Sequence, residues 1–538
     1  MSHISKINKR DLVLFTSCFS LSSLSFTALA GDVGFNAKVN SVAHIYETKR
    51  GEEEFIDNQA LVITPSLLST YTSKGFIASA LAEHIIVEQG SDIEGADKSY
   101  TELQYNGTLT LIPNSMYIGF TGSRNYRVVN QLESDFGDKV LSPGDLTQYR
   151  SNGTNFSFSI PNPKYIGFSL QTSYNQSNSE ESIDEGLGID TQGTSSSVYI
   201  YQGRKARGYK FNLSAQNTSS KRSQFSDFKS TNINGSFGIS LVGNTDFVLV
   251  GSIDEYETDI TDGASTGRRN DLDSNSYGAG FEWNPREGRQ LKLSYNQIEE
   301  VSGNTRYIGL NTDWSFSSRT KLSLDISKKF YGDAYRFSLS QNLKNFRVAI
   351  NYDENVTSYA NLGITSTPQL FVCSLGATEL ADCYQPDSTD YVLKAGEEFL
   401  NLNRLEANIT EEVFLQKSGS INIGYDKRKI KASLNASYAK TEYLESDRES
   451  ANRGVNFSFS YKLGKKTTAD LGASLTRRTN VGSEKADLTK SFETSFNRNL
   501  NPNTSLNLSA KIVDRDSENL IRDLTDKRIT LGIEYIFF

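Results

Sequence analysis

Leu103-Gln104-Tyr105-Asn106-Gly107-Thr108-Leu109-Thr110-Leu111 is the stretch that decides the fold. Successive side chains of a strand point to opposite faces, so this run places Leu103, Tyr105, Gly107, Leu109 and Leu111 on one side and Gln104, Asn106, Thr108 and Thr110 on the other. Nine alternating residues are about what a tilted strand needs to cross a bilayer. The pattern recurs along the chain. Ile166, Phe168, Leu170 and Tyr174 oppose Gly167, Ser169, Gln171 and Ser173, and Ile308, Leu310, Trp314 and Phe316 oppose Gly309, Asn311, Asp313 and Ser315. Leu322, Leu324 and Ile326 oppose Ser323, Asp325 and Ser327, and Ile430, Ala432, Leu434, Ala436 and Tyr438 oppose Lys429, Lys431, Ser433, Asn435 and Ser437. A sandwich would bury one face of each strand against another sheet. Here the polar faces carry Asn, Ser, Thr, Gln and charge, as a water-filled lumen requires.

The connections alternate as well. Tight turns are expected at Ser73-Lys74-Gly75, Pro113-Asn114, Pro161-Asn162-Pro163, Asn284-Pro285, Gly464-Lys465 and Asn501-Pro502-Asn503. Longer polar segments fall between them at 47–58, 90–97, 129–146, 178–191, 259–271, 359–400 and 443–452, with short loop-side connections near Gly303 and Asp333. Short turns at one end and long loops at the other are the outer-membrane pattern, the short turns being periplasmic. The expected fold class is therefore all-β, a transmembrane antiparallel up-and-down β-barrel of about 24 strands, with any even number from roughly 20 to 26 allowed. The first strand lies near Ala37 to Tyr46 and the last at Arg528 to Phe538. The stretch 396–427 reads equally as a loop helix plus one strand or as an extra strand pair.

Composition agrees with a wall that is greasy outside and wet inside. The 538 residues are 37% hydrophobic, with 27 Tyr, 30 Phe, 40 Gly and only 9 Pro, and the mean hydropathy is -0.47. A barrel grows by adding hairpins, so this length needs no second domain. Lys6, Lys9 and Arg10, the apolar stretch Leu12 to Phe26 and Ala28-Leu29-Ala30 read as a signal peptide over 1–30, with 31–538 a single barrel domain. A lipoprotein site at Cys18 is the weaker alternative, because the apolar core before it is very short. Beyond this leader no apolar run approaches the ~20 residues of a membrane helix.

Two cysteines follow the leader, Cys373 and Cys383, and an even number in an exported chain points to a disulfide. It would stiffen the long extracellular loop 359–400 by about 2 to 3 kcal/mol in a chain-entropy estimate. A barrel this wide needs an obstruction, and the loop is expected to close the lumen in part. Acidic runs at Asp92 to Asp97 and Asp184 to Asp190 read either as solvated loop or as divalent-cation ligands at the lipopolysaccharide surface.

No enzymatic constellation is visible. After the leader the only histidines are His44 and His84, and neither has the neighbours of a nucleophilic triad. They and the two cysteines do not form a metal set, so no metal or other cofactor is expected. The net charge of -8 with scattered basic residues argues against nucleic acid. Parity gives the lumen-lining candidates Glu102, Gln104, Asn106, Asn311, Asp313, Asp325, Lys429, Lys431 and Asn435. Their mixture of signs among neutral groups suits a hydrated, neutral or weakly charged solute. Tyr117, Tyr165 and Phe538 read as interfacial girdle aromatics. In the last strand Ile529, Leu531, Ile533, Tyr535 and Phe537 share one face, and Phe538 extends one residue beyond. This strand is the expected signal for the barrel-assembly machinery.

Several segments resemble a family of outer-membrane β-barrel porins associated with exopolysaccharide gene clusters and, in many bacteria, with exosortase (PEP-CTERM) systems. They are Val62-Ile63-Thr64-Pro65-Ser66-Leu67-Leu68 leading through a turn to Phe76-Ile77-Ala78-Ser79-Ala80, the Cys pair, Ile409 to Ser418, and Arg528 to Tyr535. The resemblance implies a conduit with no catalytic residues, acting in polysaccharide export beside periplasmic export proteins, in contact with outer-membrane lipid and lipopolysaccharide. A diffusion porin and a barrel whose loops act in adhesion are the other readings. The chain enters its first strand near Phe35, so no plug domain is expected.

Overall fold

A computed structural model describes residues 31–90, 98–128, 139–140, 146–179, 189–223, 227–258, 273–300, 303–358, 372–374, 383–384, 397–399, 413–444, 448–479, 486–517 and 523–537. Twenty-four antiparallel strands form one sheet, each paired with its neighbours in chain order. The sheet closes because the first strand, Gly31–Arg50, pairs with the last, Leu524–Ile536, from Lys38 opposite Ile536 to Arg50 opposite Leu524. Closure removes the edges whose bare N–H and C=O groups no lipid can satisfy. Among the described residues there is no helix that could cross a membrane.

The period-two faces separate as expected. Ile166, Tyr295, Ile308 and Ile529 are each more than half exposed and point away from the barrel, as do Phe281, Leu293 and Leu531. Their alternates, such as Ser177, Thr218, Ser276, Asn296, Asn435 and Thr530, are buried and point inward. Trp283 and Trp314 pack outward with ring centroids 5.9 Å apart, and the Arg289 guanidinium lies 5.5 Å above Trp314. An apolar band rimmed by such aromatics is the membrane-facing construction of an outer-membrane barrel.

All connections at the end holding residues 74–75 are short. The opposite end carries every long one, the longest being 359–412. Several boundaries differ from the sequence reading. Strand pairing runs through most of 47–58, from Glu47 opposite Asp57, because the first hairpin is the longest in the wall and turns only at 51–55. The strand Ser274–Arg286 continues through Asn284-Pro285. Pro285 lies within a register shift between Trp283 and Arg286, where a missing N–H breaks no ladder bond, and Gly288 at φ 73° supplies the left-handed turn residue. Among the described residues of 396–427 there is a single wall strand, Val413–Lys427.

The long loop contributes a separate three-stranded sheet of Val372–Ser374, Cys383–Tyr384 and Glu397–Phe399. Cys373 is fully buried, disulfide-bonded, and directly opposite Cys383. The leader 1–30, Asp92 to Asp97, Asp184 to Gly188, Phe538 and most of the loop expected to close the lumen lie outside the described residues.

One part of the wall breaks the pattern. The shortest wall strands are Thr320–Lys329 and Gly332–Asn342. They pair with each other up to Lys329 opposite Gly332. Their pairing to the flanking strands stops much lower, at Leu310 opposite Ile326 on one side and at Phe337 opposite Tyr352 on the other. The flanking strands keep their outer partners to the top, Gly303 with Glu300 and Ser358 with Val413. The upper half of this hairpin has therefore left the wall as a two-stranded tongue.

Candidate functional site

The lumen is the candidate site, and it has three parts. At the short-turn end Tyr199 and Tyr201 stack with centroids 5.0 Å apart and an interplanar angle of 21°. Their register partners Ser169 and Gly167 belong to the inward face, so these rings line the mouth, and Tyr199 is 42% exposed there. Tyr117 pairs with Thr110 and Ser157 on the same inner face. Its expected place among lipid-facing girdle aromatics is thus corrected: Met116, Ile118 and Phe120 take the outward positions, because the turn at Asn114, with φ 61°, sets the register one residue away from that reading. Tyr165 is exposed at a short turn.

The second part is a belt of amides and hydroxyls on the strands between Val413 and Ile536. Asn435 donates to Asn422 at 2.5 Å, Ser433 meets Ser458 at 2.6 Å and Ser474 meets Ser491 at 2.5 Å. Asn497 donates to Asp470 at 2.8 Å, Asn507 to Asn497 at 2.5 Å, and Ser509 to Thr530 at 2.9 Å. These bonds join five of the six neighbouring strand pairs in this part of the wall, which fixes the side chains and leaves further donors and acceptors facing water.

The third part is the recess beneath the tongue. The strand carrying Asp254, Thr245–Thr258, is four strands from the one carrying Lys329. Along a regular wall that is about 19 Å at the usual strand spacing. Yet Lys329 Nζ lies 2.5 Å from Asp254 Oδ2, and Phe330 at the tongue tip meets the Tyr256 ring at 5.3 Å. The tongue therefore bends into the lumen. Tyr256 in turn stacks on the inward Phe228, which is 1% exposed, so an aromatic cluster holds the tip down. Full burial of a ring of that size contributes about 1.5–3 kcal/mol, and the half-buried Phe330 correspondingly less. Tyr331, beside Phe330 in the tip, has its phenol held above the usual range by burial and by Glu354, Asp254 and Asp353, with Arg336 opposing.

Small inner residues make the curl possible. A Cβ at Gly280 would meet the Leu293 carbonyl at 2.0 Å, and one at Gly278 the Tyr295 carbonyl at 2.5 Å. With no side chain there the wall closes tightly enough for Tyr307 to reach Ser276 at 3.1 Å across an intervening strand. The resulting recess holds about 590 Å³ and is lined by Asn232, Asn296, Tyr307, Asn311, Asp325 and Lys292 among others.

Among the residues selected from parity, Asn311 donates to Asp325 at 2.8 Å inside this recess. Asn435 belongs to the belt, Asn106 accepts from Ser79 at 2.8 Å, and Gln104 shares the inner face of its strand with Asn106. Glu102 is occupied structurally: it accepts from the Tyr126 amide at 2.8 Å and pairs with Lys139 from an extracellular loop. Gln89 also donates to Val140 of that loop at 2.7 Å, so a second segment folds onto the inner wall. Asp313 and Lys431 are exposed on inner positions near the short-turn end, whereas Lys429 lies in the turn preceding Ile430–Tyr443. Ile529, Leu531, Ile533, Tyr535 and Phe537 all face outward. The tyrosine pair at the mouth and the tongue aromatics are absent from the sequence reading. The one available signal was Phe330-Tyr331 in an extracellular turn where polar residues are usual.

At the short-turn end Lys210 pairs with Asp246 and lies 3.6 Å from Glu282, while Asn284 donates to both carboxylates. This network rivets three strands. His84 Nδ1 lies 2.9 Å from Thr101 Oγ1, a contact between register partners on adjacent strands. Among the described residues no group of metal-ligating side chains is present.

No family model matches the chain, and no curated protein matches it. Among solved structures it is similar to the FrpB iron transporter from Neisseria meningitidis (F5-1 variant), with TM-score 0.43 and 9% identity over 94% of this chain and 83% of that one. It is also similar to the siderophore receptor PirA from Acinetobacter baumannii, with TM-score 0.43 and 7% identity over 93% and 80% of the two chains. Similarity at this level assigns neither family nor ligand. The class rests on the molecule itself: a closed outer-membrane-type β-barrel with an apolar outside and a polar lumen.

Proposed function

We propose that this barrel is an outer-membrane conduit for a hydrated saccharide chain, acting in the export of an exopolysaccharide. The observation that carries the reading is the combination on one inner surface of the exposed Tyr199–Tyr201 stack with the amide and hydroxyl belt. Sugar rings present C–H faces, which stack on tyrosine, and hydroxyls, which exchange hydrogen bonds with amides and serines. Neither feature selects strongly for an ion. The export reading also draws on the resemblance to barrels of exopolysaccharide gene clusters. In it the leader 1–30 directs export, the terminal strand engages the barrel-assembly machinery, and periplasmic export proteins deliver the chain to the tyrosine-lined mouth.

The second reading is a diffusion porin, favoured by width, since a barrel of more than about 16 strands leaves an aqueous channel. Deleting the gene and assaying secreted polysaccharide beside small-solute uptake separates the two. Export predicts lost secretion with unchanged uptake. Unchanged secretion with reduced uptake overturns it in favour of the porin.

A further inference from the structure

The tongue that narrows the lumen leaves a window in the wall. Above Leu310 on one flanking strand and above Tyr352 on the other, no backbone pairing crosses to the hairpin. The height of this opening follows from the outward residues. On Gly303–Ser317 they are Phe316, Trp314, Thr312, Leu310 and Ile308, followed by Arg306 and Asn304; on Phe346–Ser358 they are Phe346, Val348, Ile350 and Tyr352, followed by Glu354 and then Val356. On the first strand the pairing stops one outward residue below the last apolar one, Ile308, and on the second it stops at Tyr352, just below Glu354. Bare backbone edges inside hydrocarbon would cost several kcal/mol each, whereas at headgroup height polar groups satisfy them. Arg336 bridges the split point to Asp353 at 2.7 Å.

The recess runs into this opening. Its lining includes the inward Asn232 and Asn296 and also Tyr335, Glu354 and Val356, which belong to the strands bordering the window. Its 590 Å³ lies within the 300–1,000 Å³ usual for a ligand pocket. The chemistry inside is amide, hydroxyl, phenol and carboxylate. Lys292 makes no ion pair among the described residues, and Arg336 stands at the entrance.

We propose that the recess binds the saccharide headgroup of an outer-leaflet glycolipid, which enters sideways through the window while its acyl chains stay in the membrane. Amides and Asp325 receive hydroxyls, Lys292 and Arg336 receive anionic substituents, and the tongue forms the roof. The site is independent of the export reading, because it needs no solute to traverse the lumen.

The test is site-specific photocrosslinking in intact cells, with p-benzoylphenylalanine at Asn355. This inward position lies above the split and shares a ladder height with Gln416 and, one strand further, Thr441. The same photoreactive residue at Thr441, which is inward on the fully paired wall, is the control. The expected result is a lipopolysaccharide adduct at 355 and none at 441, with severalfold loss of the 355 adduct when Asp325→Leu and Asn311→Leu are added. Heat-modifiable gel migration shows that each variant has folded. A folded 355 variant without adduct, or equal adducts at both positions, overturns the proposal. Adduct at 355 together with unchanged polysaccharide secretion in the gene-deletion strain leaves this site standing and removes the export reading.

Discussion

Between Val413 and Ile536 every strand pairs with both neighbours over nearly its full length. Between Thr245 and Ser358 the wall curls, sheds a hairpin into the lumen and loses backbone pairing on both sides of it. Both regions follow the same alternation of apolar and polar residues, so alternation is not what separates them. The inner side chains are. The regular wall carries Asn, Ser and Thr that bridge strand to strand and hold the curvature even. The irregular wall carries glycine at 278 and 280 where a Cβ would strike backbone, and an aromatic cluster that rewards the tongue for bending inward. A barrel wall is thus shaped from its wet side.

The largest effect that would break this contrast is expected at the tongue. Replacing 328–333 by a two-residue turn removes the tip and its aromatic contacts, and single-channel conductance in planar bilayers should rise about twofold or more as the bore approaches that of an unobstructed barrel. Unchanged conductance would mean that the constriction lies elsewhere. Next comes the curl. Gly280→Val drives a branched side chain into the Leu293 carbonyl and should cost 3 kcal/mol or more, roughly the upper end for overpacking, read as lost heat-modifiable folded species. Gly472→Ala on the regular wall, where the nearest atom is Glu493 Cβ at 3.9 Å, should fold like the parent.

Asp254→Ala should have an intermediate effect. It leaves Lys329 without its carboxylate inside the barrel, for a loss of about 2–3 kcal/mol, below the usual cost for a fully buried pair because the Lys329 side chain is 22% exposed. Conductance noise should increase as the tip loosens. The smallest effect belongs to the belt: Asn497→Ala removes bonds to Asp470 and Asn507 that lumen water replaces, and should change stability by less than about 1 kcal/mol.

The architecture was legible in the sequence because a barrel repeats one rule many times. Strand number, antiparallel order and the outward face of Ile529 to Phe537 all follow from period two and turn residues. Local departures were not legible where two signals coincide in one residue. Pro285 reads as a turn although a register shift absorbs it, and the polar run 47–58 reads as a loop although it extends the first hairpin. Tyr117 reads as lipid-facing although it lies on the inner face, because a one-residue offset at Asn114 flips parity. The tongue was hidden most completely. Leu322, Leu324 and Ile326 alternate with Ser323, Asp325 and Ser327 as any wall strand does, and only the partners that stop pairing above them reveal the bend. The recess depends on Asp254 and Lys329 meeting across four strands, a proximity with no local trace in sequence.

Zero-length carbodiimide coupling of the native protein in membranes, followed by mass spectrometry of its peptides, tests the inward tongue most directly. Lys38 and Glu534, 3.3 Å apart on adjacent inner positions, report that the reagent reaches the lumen. The inward tongue predicts an amide bond between Lys329 and Asp254 beside the Lys38–Glu534 product. The Lys38–Glu534 product with Lys329 uncoupled, or joined only to carboxylates on its own or an adjacent strand, would place the hairpin in the wall and contradict the account.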